Sequence, residues 1–155
     1  MIRICLIILT LVAAAPAVAA PKMTEQLIHY PVSGSNLGEL RREMGQNGPN
    51  GFWGYTRWWV QRSQRCEVTL SITITMPRLE QPERLSQRDL GIWQRMEAAL
   101  LAHERLHAGH GIAAAREIHE AGCRNARGII NKWARQDRIL DRTTRHGRTQ
   151  GVRLD

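Results

Sequence analysis

The sequence predicts an α+β fold in which a small antiparallel sheet packs on one long helix, with a second helix toward the C-terminus. Three observations carry this expectation. From Val68 to Met76 apolar and polar residues alternate strictly, with Val68, Leu70, Ile72, Ile74 and Met76 on one side and Thr69, Ser71, Thr73 and Thr75 on the other, the period of a half-buried strand. Ile92, Met96, Ala99, His103, Leu106, His107, His110 and Ala114 keep helical spacing, so one helix face passes from apolar to histidine-rich along its length. A break is expected near Gly122-Cys123, and a second helix runs from about Asn125 to Leu140.

The elements before these follow from local signals. Met1-Ile2-Arg3 is a short basic start, Ile4 to Val12 is apolar, and Ala17-Val18-Ala19 supplies a small-residue cleavage pattern, so residues 1–19 read as a signal peptide. The apolar run is shorter than the roughly 18 residues of a membrane span, which disfavours a retained anchor. The mature chain then begins near Ala20, and residues 20–155 suffice for one domain with one core, in a protein exported to the periplasm or beyond. Gln26 to Val32 reads as a strand. Asn36 offers an N-cap with Glu39 at the third helical position, opening a short helix through Met44, and the glycines and asparagines of Gly45 to Gly51 form a loop. Gly54 to Gln61 is rich in aromatic and β-branched residues and pairs with the alternating strand through the polar connection Arg62 to Arg65 as an antiparallel hairpin. Trp53, Trp58 and Trp59 are expected to pack this sheet rather than stack on a ligand. Pro77 to Leu85 is a connection, and Ser86 with Asp89 marks the start of the long helix. From Thr143 the tail is polar and glycine-containing, the composition of a loose terminus.

The formal net charge is +8, with most of the surplus between Arg124 and Arg153. Such a surface attracts anionic partners, but nucleic-acid binding would need the arginines on one face, and export argues against it, so no nucleic acid is expected. An anionic cell-envelope component is the partner this charge suits. Cys5 leaves with the signal peptide, and Cys66 and Cys123 remain as a pair bound for an oxidising compartment, where a disulfide is expected. Neither has a second cysteine at ligand spacing, which disfavours a Cys/His metal site.

The chemistry lies in His103-Glu104-Arg105-Leu106-His107, an H-E-x-x-H motif inside the long helix. Four residues on a helix place His103 and His107 about 40° apart and one turn along, so both imidazoles can reach one metal. Glu104 points to the side, where it can act as general base and acid on a water at that metal. A catalytic zinc site has three protein ligands and an open position. His110 lies about 10.5 Å along the axis from His103 on a continuous helix. It becomes a ligand only if Gly109 and Gly111 break that helix, and the spacing of the metzincin motif is absent because position 113 is Ala. Asp141 and His146 are remote in sequence but reachable if the second helix folds back.

These pieces together resemble a bacterial exported family, domain of unknown function 922, described as predicted secreted Zn-dependent proteases. The resemblance rests on Tyr30 to Gly34 with Leu37 to Arg41, on Trp53 to Trp58, on the strand from Val68 to Pro77, and on the H-E-x-x-H helix. Its most specific part is the tail Asp141 to Gly151, which looks like the family's D-x-x-T-x-H-G-x-T-Q-G pattern. Gly109-His110-Gly111 departs from the D-I-A-like run of the family, and Leu140 stands where a tyrosine is expected. The resemblance implies a zincin-like zinc metallopeptidase with His103 and His107 as ligands, Glu104 as catalytic base and the Thr144 to His146 tail in the site. His146 is the expected third ligand, with His110 and Asp141 as alternatives. The rival expectation is a non-catalytic exported domain with a structural metal; a peptide or protein is the substrate if the chain is an enzyme.

Overall fold

Three strands and three helices succeed one another in a computed structural model that describes residues 20–155; residues 1–19, read as a signal peptide, lie outside it. The elements are β1 (Lys22–Val32), α1 (Leu37–Asn47), β2 (Tyr55–Arg62), β3 (Val68–Leu79), α2 (Gln87–Glu120) and α3 (Ala126–Thr144), with 3₁₀ turns at Pro49–Gly51, Pro82–Arg84 and Arg148–Gln150. The fold is α+β. Its sheet has the order β1-β3-β2, and β2 pairs antiparallel with β3, Tyr55 opposite Thr75 and Arg62 opposite Val68. The expectation of a wholly antiparallel sheet is corrected by β1, which runs parallel to β3 from Lys22 beside Thr69 to Val32 beside Leu79. Alternation of apolar residues is the same in either direction, so it carries no information on strand sense; the passage through α1 supplies the crossover that a parallel pair requires.

Side-chain caps start the helices where the sequence signals them. Asn36 accepts from the Glu39 backbone N–H at 3.0 Å, and Ser86 accepts from the Asp89 N–H at 3.1 Å, each satisfying an otherwise unpaired first-turn donor. The core lies between the sheet and α2. Val68, Leu70, Ile72, Ile74 and Met76 are buried with Ile92, Trp93, Met96, Leu100 and Ile118, in agreement with the two periodicities. Each fully buried side chain of this kind contributes about 1.5–3 kcal/mol. β1 is incompletely covered: Met23, Leu27 and Ile28 stay 44–45% exposed.

Helix α2 runs unbroken for 34 residues through both Gly109 and Gly111. Gly111 serves packing instead. A Cβ there would lie 2.7 Å from the Trp58 side chain, so only glycine lets α2 approach β2 this closely. Trp58 and Trp53 are half-buried as expected, whereas Trp59 points outward and is 59% exposed. β2 is an edge strand, and it lies over the middle of α2, where Thr56 Oγ1 comes within 3.0 Å of the Glu104 main-chain carbonyl.

After α2 the chain reverses through Gly122, Cys123 and Asn125, all at positive φ, and α3 returns antiparallel along α2. The expected disulfide Cys66–Cys123 ties this reversal to the entry of β3 with a Cα–Cα separation of 5.7 Å. The tail is not loose. Val152 and Leu154 are buried, Arg41 Nη2 donates to the Leu154 carbonyl at 3.0 Å, and Thr144 Oγ1 accepts from Gly147 N–H at 3.0 Å. Two apolar residues among polar ones suffice to dock the segment, because Gly147 and Gly151 adopt the positive φ values that turn it back onto α2.

Candidate metal centre

One groove of about 600 Å³ opens between the start of β2, the middle of α2, the last turns of α3 and the tail. At its floor His103 and His107 stand one turn apart on α2, both buried, with ring centroids 4.9 Å apart. Asp141 reaches them from α3. Its Oδ1 lies 3.3 Å from His103 Nε2 and 3.1 Å from His107 Nε2, and the two Nε2 atoms are 3.3 Å from each other. These three side chains form a group that could hold a metal ion.

The other ring nitrogens face outward to acceptors. His107 Nδ1 is 2.9 Å from Asp137 Oδ1, one turn before Asp141 on the same face of α3, and His103 Nδ1 is 2.8 Å from Gln150 Oε1 in the tail. Asp137 also takes the Trp58 indole N–H on Oδ2 at 2.8 Å, and its Oδ1 lies 2.6 Å from His110 Nδ1. His107, His110 and Asp137 are thus a second group of potential ligands, sharing His107 with the first.

Glu104 sits beside the first group. It is 4% exposed, Thr56 Oγ1 donates to its Oε2 at 2.8 Å, and a Cβ on Gly54 would come within 2.9 Å of its Oε1. Burial raises the pKa of the Glu104 carboxyl, opposed by the Thr56 hydrogen bond and the nearby histidines. Burial pulls the His107 imidazole down, but the hydrogen bond to Asp137 and the charges of Asp141, Asp137 and Glu104 outweigh it and hold the pKa above its ordinary value. Burial likewise pushes Asp137 up, and the hydrogen bonds from His107, His110 and Trp58 overcome it and keep the carboxyl below the usual range.

Of the residues singled out from sequence, His103, Glu104, His107 and Asp141 come together. His146 stands at the rim. It is exposed, its Nδ1 is 3.5 Å from Asp141 Oδ1, and its ring lies 5.3 Å from that of Phe52, but it is outside the group of mutually close ligand atoms. Both Arg145 and His146 adopt the left-handed conformation at φ 53°, which sharply reverses the chain at the end of α3. His110 remains on the continuous helix, turned toward Asp137 and Trp133. Two participants were missed by sequence reasoning, Asp137 and Gln150. The pair Asp137 and Asp141 at i and i+4 mirrors the spacing of His103 and His107, a signal visible once the two helices are paired.

The sequence matches the model of a family described as a bacterial protein of unknown function, DUF922, over residues 27–147. The chain belongs to that family. The DUF922 match includes His103, Glu104, His107, Asp137, Asp141 and His146, and ends before Gln150. No curated protein and no solved structure matches the chain.

Proposed function

We propose that this chain is a zinc-dependent hydrolase that cleaves peptide bonds outside the cytoplasm. The observation that carries this reading is the meeting of His103 Nε2, His107 Nε2 and Asp141 Oδ1 at 3.1–3.3 Å. Asp137 is acceptor-only, and a neutral His107 that donates its Nδ1–H to Asp137 at 2.9 Å keeps a lone pair at Nε2. Opposite Gln150 Oε1, His103 does the same. Three lone pairs then converge without a donor among them, an arrangement a cation relieves. Ligands about 2.0–2.1 Å from a tetrahedral zinc are about 3.3 Å from one another, which is the spacing seen. Two imidazoles and a carboxylate suit zinc chemically.

When bound, zinc supplies a Lewis acid that polarises a carbonyl and makes water more acidic. The chain supplies the rest. Glu104, with its raised pKa, is suited to take a proton from water in the groove as the C–O bond forms and to return it to the amide nitrogen as the C–N bond breaks. Thr56 holds the carboxylate in place through Oε2. Because β2 is an edge strand whose first residues line the groove, its unpaired main-chain groups suit an extended peptide. A structural metal site is closed by four protein ligands, whereas this group has three beside an open groove, which favours catalysis over a purely structural metal. The paired cysteines and the signal-like N-terminus support export.

The test is metal analysis together with cleavage of a mixed-sequence peptide library followed by mass spectrometry. One zinc per chain is expected, with hydrolysis abolished by a chelator. Glu104→Gln should keep the zinc and lose cleavage. A protein that purifies with iron rather than zinc, or a Glu104→Gln variant with unchanged turnover, would sink the proposal.

A further inference from the structure

The second group of potential ligands, His107, His110 and Asp137, calls for a different reading from the first. Asp137 Oδ1 already faces two ring nitrogens, at 2.9 Å and 2.6 Å, and Oδ2 holds the Trp58 indole N–H at 2.8 Å. A carboxylate with three donors on two oxygens is satisfied without an ion. If His107 Nε2 serves an ion in the first group, a metal here would also need a lone pair on His107 Nδ1, which requires the imidazole to lose both protons. The geometry therefore makes Asp137 an acceptor aimed at His107.

On the other side of the centre, Gln150 places Oε1 2.8 Å from His103 Nδ1. The tail that carries Gln150 is docked on α2: Gly147 lies so close that a Cβ would meet His103 Cγ at 3.1 Å and Val152 at 2.6 Å, and Val152 itself is buried. Thr149 Oγ1 donates to the Thr144 carbonyl at 3.2 Å and closes the same turn. The Thr149-Gln150-Gly151 sequence thus has a physical task, and it falls just beyond the family match.

We propose that Asp137 and Gln150 are positioning residues that fix the tautomers of His107 and His103, so that both rings carry their proton on Nδ1 and present Nε2 to the ion. This rests on the metal reading above only for its purpose; the tautomers themselves are a property of the chain. Each ring is held from outside by one acceptor, and the two acceptors come from different segments, α3 and the tail. The two are unequal. Asp137 is charged, and its side chain is 23% exposed. Gln150 is neutral and exposed, so its loss should have the smaller effect. Loss of such an outer partner typically weakens metal binding about 10–100-fold.

The experiment uses the full mature chain in two arms. In the first, long-range ¹⁵N–¹H correlation on the metal-free wild-type protein, at a pH where the imidazoles are neutral, reads the tautomers of His103 and His107. Protonation at Nδ1 in both is expected, opposite to the preference of free histidine. Nε2–H in either ring overturns the assignment for its partner, and this holds whether or not the protein binds zinc. In the second arm, zinc affinity is measured by competition with a chromophoric chelator. Asp137→Leu is expected to lose toward 100-fold and Gln150→Leu about tenfold, while Asp137→Asn and Gln150→Glu, which keep an acceptor, recover most of the loss. Affinity unchanged in both leucine variants, or two zinc ions per wild-type chain with one on Asp137, overturns the proposal. Should a leucine variant fail to fold, the wild-type tautomers still decide.

Discussion

The two His/Asp groups that share His107 are built from the same residue types, on the same two helices, one turn apart, yet they are electrostatically opposite. With both rings protonated at Nδ1 as proposed, the group of His103, His107 and Asp141 presents three acceptor atoms to one another next to an open groove. In the group of His107, His110 and Asp137, one carboxylate is saturated by three donors. Proximity of ligand-type side chains is therefore a poor guide to metal binding on its own. On the proposed tautomers, the location of the protons separates a group that suits a cation from one that is already complete.

The comparison breaks most sharply at Asp141. Asp141→Ala is expected to weaken zinc binding beyond the roughly 10–100-fold typical of an outer-shell loss, and a chelator competition giving less than that of Asp137→Leu would reverse the roles of the two groups. Removing the disulfide through paired Cys66→Ser and Cys123→Ser changes is expected to lower stability by about 2–4 kcal/mol, read by denaturant unfolding in the presence and absence of reductant. Wild type under reducing conditions should match the double variant. Gly111→Ala forces α2 away from Trp58 and should cost about 1–3 kcal/mol by overpacking. Since Trp58 also holds Asp137, the indole N–H resonance in NMR should shift in that variant.

Acidification sharpens the comparison further. The His107 pKa is raised, so the proton competes with the metal from a higher pH than for an ordinary imidazole. Zinc affinity is expected to be full above that pKa and to fall about tenfold per unit as pH drops through it, measured by titration calorimetry across the range. The smallest effect is expected from His146→Ala. Standing at the rim outside the ligand group, His146 should alter zinc affinity less than either outer partner does; a loss as large as that of Asp141→Ala would make it the ligand the motif resemblance implies.

Much of the fold was legible because periodicity and capping are local. The Val68 to Met76 alternation, the Asn36 and Ser86 caps and the cysteine pair all have their physical cause within a few residues or in simple counting. The direction of β1 was not legible, since a strand's alternation reads alike from either end. At the site, His103, Glu104 and His107 were legible because they are neighbours on one helix turn. The third member and the outer partners depend on how α3 docks, which is set by tertiary contacts such as Trp58 with Asp137, the disulfide turn and the buried tail. His146 is a histidine in a distinctive tail, but two successive left-handed residues carry it to the rim, and it is the carboxylate one turn earlier in α3 that faces the histidines.

The division of the centre between α2 and segments far behind it in the chain also imposes an order in time. As the polypeptide emerges, the H-E-x-x-H helix is complete long before Asp141, and Asp141 before Gln150. A nascent chain holding only the first two histidines offers an ion two loosely held imidazoles, and the full set exists only once the last-made segment has packed on the first. Metal capture would then mark the completion of folding, and a chain that has not finished its tail would carry the motif without the means to use it.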